Sequence, residues 1–212
     1  MGCLGVVAER LNSMYPFKRK SDSRLPKRRF VISVEGAETE DEYLKRLGKL
    51  FWDRVIIDVP KNVNKSAPNY VLERIQSYRG RLDKGDEMWC VIDSDRWTMN
   101  QKLAIQSWSK KHSGGVDRFL GLSNPKIELW IAMHLDDVGP DCTGFTAVIK
   151  KYCNGKKYKK HIDNFGSYIS KESIKAAISR AKKSCPTGRP PIKAKGTNLW
   201  VLAEHIMNTG HV

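Results

Sequence analysis

Two aspartates separated by one serine, Asp93-Ser94-Asp95 in "EMWCVIDSDRW", follow an uninterrupted apolar run from Met88 to Ile92. A further acid, Glu35, ends the apolar segment "RFVISVEG". A charge closing a buried strand has no structural reason of its own, and Gly36 beside it permits close approach of a ligand or a positive φ angle. In an open parallel sheet, ligands collect at the C-terminal ends of the strands, so these residues belong on one edge. If Glu35, Asp93 and Asp95 converge there, three carboxylates repel one another in a semi-enclosed site, and a divalent cation is the usual remedy. Oxygen-only ligation points to Mg²⁺ or Mn²⁺ rather than zinc. Such an ion leaves positions for phosphate oxygens, which suits hydrolysis or transfer at a phosphodiester.

Other uses of the triplet stay open. A D-x-D at a strand end also forms an Asx-type turn in which Asp93 or Asp95 caps the next segment. Haloacid-dehalogenase-type phosphatases place D-x-D-x-[TV] on their opening strand, whereas here the fifth position is Trp97 and the strand is the third. Glycosyltransferases use D-x-D for a nucleotide-sugar metal, which leaves the basic C-terminal region without a purpose.

The elements that must position these acids follow from periodicity. "RFVISVEG", "RVIIDVP", "EMWCVID" and "DRFLGLSN" are predicted strands. Between them lie helical patterns at "TEDEYLKRLGKLFW", with Thr39 and Glu42 as a capping box, at "NYVLERIQSYRGRL", and at about Gln101 to His112. "PKIELWIAMHL" follows as a helix with Asn124 as its cap and Pro125 in its first position. Four alternations of strand and helix predict an α/β fold with a mostly parallel four-stranded sheet flanked by helices. The fourth strand ends in Ser123-Asn124-Pro125, with Glu128 one turn along. Glu40, Asp41 and Glu42 fall in a first helical turn, where the helix dipole alone favours them. Beyond Leu135 the patterning is helical only, near Phe145 to Tyr152, Lys171 to Lys183 and Asn198 to Met207, and "TGRPPIKAKG" separates the last two.

The 212 residues carry a formal charge of +15, and its distribution matters more than its size. Residues 1–30 hold 8 basic and 2 acidic side chains, residues 31–149 hold 16 and 18, and residues 150–195 hold 14 and 2. Basic ends around a slightly acidic middle suit a polyanion held over a carboxylate-bearing centre. In the C-terminal region the candidates for phosphate contact are Lys150, Lys151, Lys156, Lys157, Lys159 and Lys160, and Tyr152, Tyr158 and Phe165 could stack on bases or belong to the core. Five scattered cysteines without a C-x-x-C pair signal neither a disulfide framework nor zinc, which agrees with a cytoplasmic protein. The five histidines show no ligand spacing, and His134 on its apolar helix is expected to be packed. No segment reaches the roughly 18 consecutive apolar residues of a membrane span. Residues 1–29 read as a basic flexible arm, 30–136 as the core, and 137–212 as a basic helical extension.

"VISVEGAETEDEY", "WCVIDSDRW", "LSNPKIELWIAMHL" and "GTNLWVLAEHI" together, in this order, resemble the RloB-like family of bacterial proteins. The resemblance implies a Toprim-type catalytic core over residues 30–136, in which a glutamate after the first strand and a D-x-D after the third hold Mg²⁺. It implies Glu35 as the metal-linked acid or base, Asp93 and Asp95 as ligands, Glu128 as a ligand of a second metal, and Glu40, Ser123 and Asn124 as site-lining residues. It also implies a metal-dependent nuclease acting on DNA or RNA in anti-phage defence, by abortive infection, with room for a protein partner from the same defence system. Two alternatives remain: a non-catalytic nucleic-acid-binding accessory module, and a nucleotidyl or phosphoryl transferase.

Overall fold

The computed structural model describes residues 26–36, 38–60, 69–95, 97–111, 114–152 and 166–210. Its elements run β1 (Arg28–Val34), α1 (Thr39–Leu50), β2 (Val55–Asp58), α2 (Asn69–Gln76), β3 (Glu87–Asp93), α3 (Met99–Ser109), β4 (Asp117–Asn124), α4 (Ile127–Leu135), α5 (Phe145–Tyr152), α6 (Lys171–Ser184), β5 (Gly196–Thr197) and α7 (Leu199–Asn208). The sheet order is β2-β1-β3-β4-β5. The first four strands are parallel and β5 is antiparallel to β4.

Both faces of this sheet are covered, as a parallel sheet requires. The two-residue period of a strand divides the side chains between them. Phe30, Ile32, Val34, Trp89 and Val91 join one buried cluster with Tyr43 and Leu47 of α1, Trp130 of α4, Ile174 of α6 and Leu202 of α7. Val31, Cys90 and Ile92 join the other with Val71 and Ile75 of α2 and Ile105 and Trp108 of α3. Burying one such side chain fully contributes about 1.5–3 kcal/mol. The helices beyond Leu135 therefore share the main core with β1 and β3.

Four expectations need correction. The sheet has five strands, not four, because "TGRPPIKAKG" ends in Gly196 of β5, whose two residues are too few to show a period. The first strand starts at Arg28, so Arg28 and Arg29 belong to the sheet: Arg28 pairs with Glu87 at 2.7 Å and Arg29 with Asp58 at 3.4 Å. Thr39 is already inside α1, whose cap is Glu38 without a side-chain cap bond, so the Thr39/Glu42 box does not form. Asn124 is the last residue of β4 and not a helix cap. The Asn124–Pro125 peptide is cis, and α4 starts at Ile127 after Lys126. The delay has a physical reason: the Pro125 carbonyl is engaged by the N–H groups of Ser94 and Asp95, which fastens this turn to the end of β3.

Candidate functional site

Register brings the ends of β1, β3 and β4 to one edge. Val34 lies opposite Val91, and Asp93 opposite Ser123. Arg74 of α2 fastens the end of β1 by donating to Ser33 Oγ and to the Val34 carbonyl. One residue further, Glu35 is buried at 7% exposure and turned toward β3. Its Oε2 accepts from the Trp97 indole N–H at 2.7 Å and from the Asp93 N–H at 3.4 Å. Glu35 and the first aspartate of the D-x-D are thus neighbours.

A further acid arrives from α1. The Glu40 side chain folds back so that Oε1 accepts from the Gly36 N–H at 3.1 Å. A Cβ at position 36 would lie 2.2 Å from Glu40 Oε2, so Gly36 is needed for the approach of this carboxylate rather than for a positive φ. Burial raises the Glu40 carboxyl above the usual carboxylate range, the negative charges of Glu128 and Glu35 add to the rise, and its hydrogen bonds to backbone N–H groups oppose it. Asp93 goes further. Burial, then Glu40, Glu128 and Glu35, push its carboxyl up to about 8, against the Ile127 N–H that donates to Oδ1 at 2.8 Å. Four carboxylates therefore act on one another: Glu35, Glu40, Asp93 and Glu128.

The other end of β3 shows what compensation looks like. Glu87, 1% exposed, is met by Arg28 at 2.7 Å, by His205 Nδ1 at 2.8 Å and by the Trp89 indole at 2.7 Å. No described Lys or Arg forms an ion pair with Glu35, Glu40, Asp93 or Glu128. One oxygen of Glu35, Glu40 and Asp93 is held by an N–H, while Glu35 Oε1, Glu40 Oε2 and Asp93 Oδ2 accept no hydrogen bond from another described residue. Among those residues, however, no three His, Cys, Asp or Glu side chains stand close enough to clasp a metal ion as they are. A shared cation would have to draw the free oxygens inward.

Asp95 stands apart. It pairs with Lys126 at 3.3 Å and is not among the charges that weigh most on Asp93. Nor does the triplet cap the next segment: α3 carries its own capping box, Thr98 with Gln101, and Asp93 instead bonds the first turn of α4. Ser123 is fully buried and its Oγ shares a hydrogen bond with Thr197 Oγ1 at 2.9 Å, while Asn124 donates to the Pro191 carbonyl at 3.1 Å, so both tie β4 to the 191–197 segment. His134 is packed: Nδ1 faces the Trp130 carbonyl, and burial lowers its pKa to about 4, which keeps it neutral. Lys150 is exposed on α5, and Lys151 pairs with Asp136 at 3.0 Å. Tyr152 donates to the Leu135 carbonyl at 3.3 Å and meets Tyr168 edge to face. Lys156, Lys157, Lys159, Lys160, Tyr158 and Phe165 lie outside the described residues, as does most of the N-terminal arm.

Two contributors escape a reading of motifs. Trp97 holds Glu35, and Lys102, only 7% exposed, donates to Ser94 Oγ at 2.8 Å between the two aspartates. Lys102 shares a stripe with Ile105 and Trp108 at three-residue steps, so a cation on an otherwise apolar helix face was the available signal.

A family model described as RloB-like protein matches residues 30–206. Comparison with curated proteins and with solved structures gives no significant match. Among the described residues no helix is long and apolar enough to cross a membrane.

Proposed function

The chain belongs to the RloB-like family, and from that premise we propose that it is a metal-dependent nuclease of Toprim type, cleaving phosphodiesters of DNA or RNA. The observation that carries this is the uncompensated group of Glu35, Glu40, Asp93 and Glu128, in which burial first and then the neighbouring negative charges raise Asp93 to about 8. Glu35 just after β1 and the D-x-D at the end of β3 lie on neighbouring strands, which supports the placement that the family resemblance implies. The donor set suits a hard divalent ion, since it is all oxygen and Glu35, Glu40 and Asp93 each keep one oxygen free. Glu35, Glu40, Asp93 and Glu128 would hold such an ion, with Asp95 at the rim once it leaves Lys126. Mg²⁺ or Mn²⁺ held there would supply positive charge against a phosphodiester oxygen.

The protein's own groups complete the chemistry. Trp97 and the Asp93 N–H orient Glu35, and the Ile127 N–H orients Asp93. Lys102 on Ser94 and Lys126 on Asp95 bring two cations to the acid-bearing loop, suited to substrate phosphates. A role in anti-phage defence rests on the family resemblance alone.

The test is incubation of the purified protein with plasmid, tRNA and single strands in Mg²⁺ or Mn²⁺, beside Asp93→Asn. Cleavage should fall at least about 100-fold in the variant and vanish in EDTA. Equal cleavage by the variant, or in EDTA, contradicts the proposal. The lack of a preformed three-ligand cluster among the described residues favours one second reading, a nucleic-acid-binding accessory module. That module would bind in a salt-dependent, metal-indifferent way and cleave nothing.

A further inference from the structure

The outer edge of β4 carries a second feature, away from the acids. β5 pairs only with Ser123 and Asn124, so the first half of β4 has no described strand beside it on that side. The Asn198 side chain closes part of the gap, accepting from the Leu122 N–H at 2.7 Å and donating to the carbonyls of Leu120 and Gly188 at 2.8 and 3.1 Å. These bonds hold the 188–190 loop over the edge. Gly188, at φ +66, is needed for that turn, since a Cβ there would lie 2.9 Å from Val201. Between this loop, the end of α3 and the edge of β4 lies a cavity of about 650 Å³, within the roughly 300–1,000 Å³ range of small-molecule sites.

The lining has two characters. Phe119, Leu120 and Pro190 give it an apolar wall, and Lys110, Arg118 and Arg189 give it three cations. None of these cations pairs with an acid among the described residues. Arg118 lies over the Trp108 ring at 5.5 Å, and its Nε is buried without a hydrogen-bond partner among those residues. Buried polar groups are rarely left so, and Arg118, which lines the cavity, is a guanidinium suited to an anion there. Phe119 and Ser123 are four residues apart on β4, about 13 Å, which separates this cavity from the acid-bearing end of the sheet.

We propose that the cavity is a binding site for a nucleotide-sized phosphate ester, its phosphate held by Lys110, Arg118 and Arg189 and its base or other flat apolar part lying against Phe119 and Pro190. Such a group can come from a free nucleotide or from the phosphorylated end of a nucleic-acid chain, and the two sources differ in what is attached beyond the first nucleotide. The proposal does not depend on the acids holding a metal.

Calorimetric titration of the full chain in EDTA with ATP, with a 5′-phosphorylated trinucleotide and with inorganic phosphate tests it. At least one of the first two should bind more tightly than inorganic phosphate. Its affinity should fall at least tenfold in Arg118→Gln, and also in Lys110→Gln/Arg189→Gln, whose exposed positions spare the fold. Lys175→Gln, an exposed lysine of α6 away from the cavity, should leave it unchanged. Preference for ATP marks a free nucleotide as the ligand, and preference for the trinucleotide marks a chain end. No binding of either at millimolar concentration, inorganic phosphate binding as well as both, or an equal loss in Lys175→Gln overturns the site.

Discussion

Asp93 and Glu87 sit at opposite ends of one strand, and their surroundings differ in sign. Glu87 is enclosed by a guanidinium and an imidazole, whereas Asp93 faces Glu40, Glu128 and Glu35. A buried acid among acids destabilises the fold whenever it ionises. The sign follows from linkage. With the folded pKa near 8 and an unfolded value near 3.8, the folded state binds more protons between those limits, so stability is full at low pH and is lost as pH rises from about 4 to about 8. Asp93→Asn keeps the acceptor for the Ile127 N–H and removes the charge. In EDTA it should be more stable than the parent at pH 8, by on the order of 1–3 kcal/mol, and the gap should close at pH 4. Thermal melts of the two proteins at both pH values decide this; a variant less stable at pH 8 would mean that the acid is compensated. At this scale the nearness of Glu35 and Asp93 was legible because a charge at the end of an apolar strand needs a reason, whereas Asp95, expected beside them, pairs with Lys126 instead. The part played by Glu40 was not, since a first-turn acid already has one. Lys102 was hidden because its position depends on which face of α3 meets the sheet.

The helices past Leu135 belong to the same body as β1 and β3. Ile174 of α6 is fully buried, and Arg180 donates to the Met133 carbonyl at the end of α4 at 2.6 Å. Ile174→Ala should therefore cost about 2–5 kcal/mol and lower a single cooperative unfolding transition. Two separate transitions, only one of them shifted, would show that the extension melts on its own. The parallel core was legible as elements, since each of its strands carries a run or alternation of apolar residues. Helix starts were less so. Asn124-Pro125 has the composition of a helix opening, yet the N–H groups after β3 claim the Pro125 carbonyl, and Asp93 engages the first turn of α4 from a distant strand. Long-range bonds of this kind leave no trace in local spacing. β5 was invisible for the same reason, being defined by pairing with β4 rather than by its own sequence.

Along the chain, a slightly acidic middle lies between basic ends, a segregation that charge counts in the sequence give by themselves. Cations that meet phosphates release counterions, so affinity for a nucleic acid should fall steeply with salt, and removing one such cation should make the log–log slope shallower by about 0.7–0.9. Lys150 is exposed without an acid partner among the described residues, while Lys151 is held by Asp136. Lys150→Gln should reduce that slope more than Lys151→Gln in binding titrations at rising salt, and equal slopes in both variants and the parent would place the nucleic acid elsewhere. The acids themselves remain the central question, because the proposed chemistry depends on their needing a cation. Anomalous diffraction from a crystal soaked in Mn²⁺ is the most direct test. An ion shared by Asp93 and Glu35, with Glu40 or Glu128 drawn toward it, is the predicted result. An unchanged carboxylate cluster with no anomalous peak at saturating Mn²⁺ would contradict it.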